Sequence, residues 1–282
     1  MQTMLREQES ARITLVQWDT PFEILRGTYT RHRFAPHLHE TFSLGAIEAG
    51  ASRIRYRGRT VSQRAGDVVV IPAREVHTGE ADCPEGWSYR MLYLPLELMA
   101  ALGVPEHTEF EAPTIADPEL ARRVIDVHTL LEGHAERLRG QTALAELLQT
   151  MCARYAHAHV EAARTEPGRA LLGRVRDYLE EHYAKPISLL ELSAVSGVSP
   201  FHLSRRFRAR YGLPPYMYLE MVRVNRARDL LRAGEPISRV AFDTGFSDQS
   251  HLTRRFKRVV GVPPGQYART YGLRRASATR VA

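Results

Sequence analysis

Two groups of residues in this chain have types and spacings that could do chemistry. The first is a histidine pair, His37 and His39, in the run Pro36-His37-Leu38-His39. On a strand, residues two apart share a face. A third imidazole there would complete either a three-nitrogen metal site or a hydrogen-bonding set for a small ligand. The second group is rich in arginine and occurs twice, in Ile187–Tyr218 and Ile237–Tyr267. Leu203, Phe207, Gly212, Pro214, Pro215 and Tyr218 align with Leu252, Phe256, Gly261, Pro263, Pro264 and Tyr267 at a constant offset of 49, and Gly197 and Ser199 align with Gly245 and Ser247 at 48. At about 100° per residue, Phe201, Arg205 and Arg208 fall opposite the Leu203–Phe207 stripe, and Ser250, Arg254 and Lys257 opposite Leu252–Phe256. One exposed arginine face is ordinarily a solvated surface. The same face at matched positions after a matched turn points to DNA.

The elements that must position these side chains follow from local signals. In each copy a short apolar helix (Leu189, Leu190, Leu192, Val195; then Val240, Ala241, Phe242) runs into a glycine, Gly197 or Gly245, which can take the left-handed conformation that reverses a chain. Ser199 and Ser247 follow as candidate N-caps, with Asp248 an alternative, and Pro200 suits a first helical position. This is the grammar of a helix-turn-helix, present as a duplicated small domain; two copies are too few for a solenoid. The exposed N-terminal halves of the second helices are expected to meet base edges: Phe201, Ser204 and Arg205, then Gln249, Ser250, Thr253 and Arg254. Arginine can pair bidentately with guanine, glutamine with adenine, and phenylalanine can pack on a thymine methyl. Arg208, Lys257 and Arg258 lie further along, where phosphates are the expected partners.

This region resembles the C-terminal DNA-binding domain of the AraC/XylS family of bacterial transcription regulators. The residues that carry the resemblance are G-F-S-D-Q-S-H-L-T-R-R-F-K at 245–257, V-P-P-G-Q-Y at 262–267 and S-P-F-H-L-S-R-R-F at 199–207, and it covers roughly 169–270. Ser193 stands where the family usually has alanine. The resemblance implies seven helices, two helix-turn-helix units and one connecting helix. That connecting helix would run from about Pro215 to Arg232, with Val222, Ala227, Leu230 and Leu231 buried.

Composition agrees. The chain has 282 residues, 44% hydrophobic and 25% charged, enough for two domains. From residue 200 onward 17 Lys+Arg face 5 Asp+Glu, a net of +12, whereas the preceding part holds 22 against 27, a net of −5. A basic C-terminal third on a slightly acidic N-terminal portion is the charge distribution of a nucleic-acid binder with a separate regulatory part. No apolar run approaches a membrane span, and the first residues have no signal-peptide core. Cys83 and Cys152 offer neither a disulfide framework nor zinc spacing, so both read as packing residues in a reducing cytoplasm.

Residues 11–110 read as short strands. ITLVQW, FSLGAIEAG, SRIRYRG, DVVVIP and YRMLYLP are β-branched or aromatic and broken by Gly, Pro or Asp, the pattern of an all-β barrel or sandwich. Gly66, Pro72 and His77 match the second motif of the cupin fold, with Arg74 replacing its middle glycine. His37 and His39 match the first motif, whose glutamate should fall near Ser43 or Leu44 and is absent. The stretch thus resembles the cupin-like ligand-binding domain of AraC-type regulators, a family that commonly keeps these histidines without using a metal. His37, His39 and His77 are therefore read as ligand-binding, with no metal, cofactor or catalytic residue expected. Arg33, Trp87 and Tyr89 are further pocket candidates.

From Asp117 the pattern turns helical. Asp117-Pro118 is an N-cap followed by a first-position proline, and Leu120, Val124 and Leu131 recur at helical spacing. A second stripe, Leu144, Leu147, Leu148, Met151 and Tyr155, packs on the β-domain or pairs two subunits; by the family resemblance 114–160 is expected to carry dimerisation. An interdomain linker is expected at 161–168 and a disordered tail at 271–282. The expected fold class is thus α+β multidomain: a cupin-like β-barrel, a helical dimerisation segment and an all-α domain with two helix-turn-helix motifs. The expected function is a ligand-responsive, sequence-specific transcription regulator. Its partners would be double-stranded promoter DNA, a small effector, a second copy of the chain, and RNA polymerase if it activates, with no membrane. The alternative is a metal-dependent cupin enzyme fused to a DNA-binding module.

Overall fold

A computed structural model of the chain describes residues 9–104, 108–133, 137–158 and 169–278, so the linker expected at 161–168 lies outside the described residues. Two compact units result, Met1–Glu161 and Ala162–Ala282. The first opens with β1 (Ser10–Val16), β2 (Phe22–Tyr29), β3 (Phe34–His37), β4 (Phe42–Tyr56), β5 (Arg59–Arg64), β6 (Asp67–Ile71), β7 (His77–Ala81) and β8 (Trp87–Leu94). After these come α1 (Leu96–Ala101), β9 (Thr108–Phe110), β10 (Thr114–Ala116), α2 (Pro118–Glu132), α3 (Arg137–Tyr155) and β11 (Ala156–Ala158). All pairings are antiparallel, in the order β1-β2-β8-β4-β6-β10, with β3 on β7, and β5 and β7 on β4.

The segments FSLGAIEAG and SRIRYRG prove to be one strand, β4. Its first half pairs with β8 and β6 and its second with β5 and β7. The changeover comes at Gly50, whose φ is +72° and where a Cβ would lie 2.0 Å from the Gly86 carbonyl oxygen. Only glycine fits so close a backbone approach.

Period-two alternation sends Leu44, Ala46, Val68, Val70, Leu92 and Leu94 to the face covered by α2 and α3. The Asp117 carboxylate caps α2 by accepting from the Leu120 amide at 2.9 Å, with Pro118 in the first turn as expected. Leu144, Leu147, Leu148 and Met151 are each 0% exposed and belong to this same core. The stripe expected to pair two subunits is therefore already satisfied within one chain, because a single-faced sheet needs a helical layer to cover it. Short strands hold both ends of the helical segment: β10 pairs with β6 and β11 with β9.

The second unit has seven helices among the described residues: α4 (Arg169–Glu181), α5 (Leu189–Ser196), α6 (Pro200–Tyr211), α7 (Pro215–Ala233), α8 (Ile237–Asp243), α9 (Gln249–Val260) and α10 (Pro264–Ala278). The connecting helix α7 buries Val222, Ala227 and Leu231 as expected, together with Tyr218, Met221 and Val224, while Leu230 is only half-buried. The Arg223 guanidinium clamps it by donating to the carbonyls of Tyr183 (2.8 Å) and Lys185 (2.9 Å). Leu189, Leu190 and Phe242 are exposed rather than inward. In two turns α5 can aim only one stripe at the core, and Leu192 with Ser196 at i and i+4 take it. A capping box between Ser188 and Glu191 starts this helix. α10 runs past residue 271, where a tail was expected, to Ala278.

Candidate nucleic-acid interface and ligand site

Each recognition-type helix is fixed by a buried pair and presents a basic face. Leu203 and Phe207 of α6, and Leu252 and Phe256 of α9, are all 0% exposed. Phe201, Arg205 and Arg208 are exposed on α6, as are Gln249, Ser250, Arg254, Lys257 and Arg258 on α9, while Ser204 and Thr253 are half-buried. The Thr253 hydroxyl donates to the Gln249 carbonyl at 2.8 Å, so it lies along the helix and offers mainly its oxygen to a partner.

Ion pairing separates two kinds of arginine here. Arg255 reaches Glu220 of α7 at 3.3 Å, Arg239 joins Glu235 and Asp243, and Arg232 joins Asp229. Among the described residues no ion pair involves Arg205, Arg208, Arg254, Lys257 or Arg258. Cations kept unpaired on one helix face retain full charge for phosphates and base edges.

The two turns differ in detail. Gly197 and Gly245 both have positive φ, +68° and +76°. A Cβ on Gly197 would meet open space, whereas one on Gly245 would lie 2.7 Å from the Ala184 carbonyl oxygen. Gly245 thus also seats the second turn against the chain after α4. Asp248, not Ser247, caps α9 by accepting from the His251 amide at 2.7 Å, and that bond holds its carboxyl below the usual range. Ser199 makes no side-chain cap on α6. Both turn serines instead reach a histidine ring: Ser199 Oγ lies 2.9 Å from His202 Nδ1, and Ser247 Oγ 3.1 Å from His251 Nδ1.

In the first unit the three predicted histidines come together. Ring centroids are 4.9 Å apart for His37 and His39, 4.3 Å for His37 and His77, and 5.2 Å for His39 and His77. His37 and His77 are buried and paired directly across β3 and β7; His39 is half-buried. Burial lowers the His77 pKa to about 4, only partly offset by the Glu75 carbonyl and carboxylate, so this ring is neutral near pH 7. Trp87 and Tyr89 lie on the same side of the sheet and stack at 6.1 Å. Arg33 does not join them, being exposed and paired with Glu80 at 3.3 Å. Three lining residues went unread in the sequence. Tyr29 contacts Trp87 and Phe34, Phe34 contacts His37, and Tyr93 lies 4.9 Å from His39. The odd positions 87, 89, 91 and 93 of β8 share a face, so alternation alone could have placed Tyr93 with Trp87 and Tyr89. Burial raises the Tyr29 and Tyr89 phenols well above their ordinary pKa, so they stay neutral hydrogen-bonding groups.

Residues 20–148 match the family described as AraC-like ligand binding domain, and residues 192–270 match a helix-turn-helix domain. The uncharacterized HTH-type transcriptional regulator YbfI of Bacillus subtilis is 31% identical over 224 residues, which cover 77% of this chain and 81% of that protein. The chain belongs to the AraC/XylS family of transcription regulators. The activator RhaS of Klebsiella pneumoniae is 37% identical over 82 residues, 29% of this chain and 30% of that protein. ToxT from Vibrio cholerae superposes with a TM-score of 0.53 at 9% identity, covering 93% of this chain and 98% of that one, a likeness of fold. A regulator of the AraC/XylS family thus carries a ligand-binding unit, here with an aromatic and histidine-lined sheet face, and a helix-turn-helix unit with two basic helices.

On the opposite, helix-covered face of the sensor's sheet, Arg90 of β8 is 6% exposed and donates to Glu48 of β4 at 2.8 Å and to Glu132 of α2 at 3.0 Å. His128 of α2 sits between Arg90 (3.1 Å) and the Leu25 carbonyl (3.1 Å). Burial, and then the Arg90 charge, lower its pKa to about 4. This group ties sheet to helix behind the histidine-bearing side.

Proposed function

We propose that this AraC-type regulator binds a small effector at His37, His39 and His77, beside Trp87, Tyr89 and Tyr93, and reads promoter DNA through α6 and α9 in successive major grooves. The observation that supports the reader best is the pair of matched helices on whose exposed faces Arg205, Arg208, Arg254, Lys257 and Arg258 make no ion pair among the described residues. By position, Phe201, Ser204, Arg205, Gln249, Ser250, Thr253 and Arg254 would meet bases, and Arg208, Lys257 and Arg258 phosphates. The 19-residue α7 spans about 28 Å, a suitable brace for modules about 34 Å, or one helical turn of DNA, apart. The effector would act by shifting the population of DNA-competent arrangements, so its differential affinity limits the response.

A homodimer is the assembly we expect, on a surface other than the Leu144–Met151 stripe, with RNA polymerase as a further partner where the protein activates. Free cysteines at Cys83 and Cys152, and the lack of any described helix long and apolar enough to cross a membrane, support a cytoplasmic site of action. The test is promoter binding with and without effector. His39→Ala should weaken the response to effector and leave basal DNA binding intact; equal loss of both in a folded variant would count against a separate sensor.

A further inference from the structure

The matched turn histidines of the reader, which the base and phosphate assignments leave out, differ in how they are wired. We propose that His251 is a phosphate contact of α9 that forms only when its ring is protonated, so that DNA binding takes up a proton there, whereas His202 of α6 makes the same contact while neutral. This rests on the reading of α6 and α9 as the DNA-facing helices.

The second turn decides the tautomer of His251. The Asp248 carboxylate accepts from the His251 amide at 2.7 Å and, through its other oxygen, from the Ser247 hydroxyl at 2.9 Å. Those two bonds, the amide first, hold the Asp248 carboxyl below its usual range, so near pH 7 it can only accept. A hydroxyl has one hydrogen, and that of Ser247 goes to Asp248. The Ser247 oxygen, 3.1 Å from His251 Nδ1, must then accept, which puts the ring hydrogen on Nδ1. The neutral ring therefore carries a lone pair at Nε2. A phosphodiester oxygen is an acceptor too, so the two meet favourably only when Nε2 gains a proton.

Position favours a phosphate over a base edge. At about 100° per residue, His251 lies about 60° round α9 from Arg254 and about 20° from Arg258, at the flank of the base-reading side. Its ring packs edge-on against Phe246 at 5.2 Å. Nε2 makes no hydrogen bond among the described residues, yet it is not sealed from solvent. The acids of the helices packed on α9 are engaged elsewhere, Glu220 of α7 by Arg255 and Asp243 of α8 by Arg239, each at 3.3 Å. Asp248 is thus the carboxylate wired to this ring. Arg254 and Arg258 of α9 and Arg269 of α10 oppose its protonation until a phosphate neutralises them.

In the first turn Pro200 follows Ser199 where Asp248 follows Ser247. Without that carboxylate the Ser199 hydroxyl is able to donate to His202 Nδ1, 2.9 Å away, which leaves the ring hydrogen on Nε2. A neutral Nε2–H donates to a phosphate oxygen directly. The two copies of one motif therefore differ in proton demand.

The experiment measures the affinity of the full chain for the duplex it selects from a random pool, by fluorescence anisotropy from pH 6 to pH 8 at constant ionic strength. An imidazole ordinarily titrates near pH 6.5 and a phosphate beside it raises that value, so the complex holds more protons than the free chain. Wild-type affinity should therefore fall about tenfold from pH 6 to pH 8. His251→Gln, which offers a neutral N–H in place of Nε2, should keep most of the pH 8 affinity and lose the slope. His202→Gln should keep the slope. Ser247→Ala removes the acceptor that fixes the tautomer, so a neutral ring can carry its hydrogen on Nε2. The slope should then flatten with His251 still in place, a result that packing of the ring alone would not give. A flat wild-type profile, or a slope undiminished in both His251→Gln and Ser247→Ala, would overturn the proton-linked contact. If Arg254→Ala still lowers affinity in that case, α9 as a reader stands. If Arg254→Ala and His251→Gln both leave binding as it was, α9 as a DNA-facing helix fails as well.

Discussion

The two units place their polar side chains in opposite ways. The sensor buries Glu23, His37, Ser43, Gln63, His77, Arg90 and His128; among the described residues the reader's buried polar groups are Ser196 and Thr244, each bonded to a carbonyl of its own helix. The reader keeps its arginines outside, several of them without an acid nearby. Buried polar groups cost stability unless they are hydrogen-bonded, and a ligand can supply the bond. In the first unit Gln63, Arg90 and His128 find their partners within the protein, whereas the buried Ser43 hydroxyl has none among the described residues; the second unit sets a rigid apolar core beneath a basic surface.

That contrast can be broken most severely in the sensor core. Leu148→Glu places a charge among fully buried side chains and should unfold the first unit outright rather than yield a folded monomer. Two thermal transitions in the wild type and one in the variant would show it, and a folded, soluble monomer would contradict it. Arg90→Met leaves the half-buried Glu48 and Glu132 with only Arg26 (3.5 Å) and Arg12 (3.9 Å) as ion-pair partners, and should cost about 1.5–3 kcal/mol in denaturant unfolding. A change under 1 kcal/mol would mean the ion pairs are solvated.

On the reader the expected losses are in binding. Arg205→Ala or Arg254→Ala should cost about 1–3 kcal/mol on the cognate site with little change in folding. Acid should again separate the units. His128 stays neutral when folded, with a pKa of about 4 against 6.5 for the free side chain. Below pH 6.5 the unfolded chain therefore binds more protons. The sensor should lose at most about 1.4 kcal/mol per pH unit from this group as pH falls from about 6.5 toward about 4. His128→Gln should flatten that slope; an equally steep acid loss would assign it to other groups. The smallest effect is Lys257→Ala, which should weaken all sequences alike and reduce the log–log salt slope by about one.

The reader was legible because duplication supplies an internal control. Gly197, Gly245, Pro200 and the Leu–Phe pairs each appear where a turn or a core demands them, while of the three cap candidates only Asp248 accepts from a helix amide. The sensor was legible only in part. His37, His39 and His77 could be named, but Tyr29 joins Trp87 and Tyr89 through the pairing of β2 with β8, distant in sequence, which no local period records. Arg90 has no sequence signal of its own, because its partners Glu132 and His128 come from α2, about 40 residues further on. The Leu144–Met151 stripe shows the ambiguity most plainly, since an amphipathic helix declares an apolar face without saying which surface covers it. Leu189, Leu190 and Phe242 mark the opposite error, because short helices can carry apolar residues that no core has room for.

Binding-site selection with Arg254→Ala tests whether the exposed faces of α6 and α9 read sequence. Selected sites should match the wild-type motif everywhere except at one base position, where the preference relaxes, and affinity for the wild-type site should fall in step. Recovery of the wild-type motif unchanged, with affinity lost evenly across all sequences, would make Arg254 a phosphate contact and contradict α9 as a base reader.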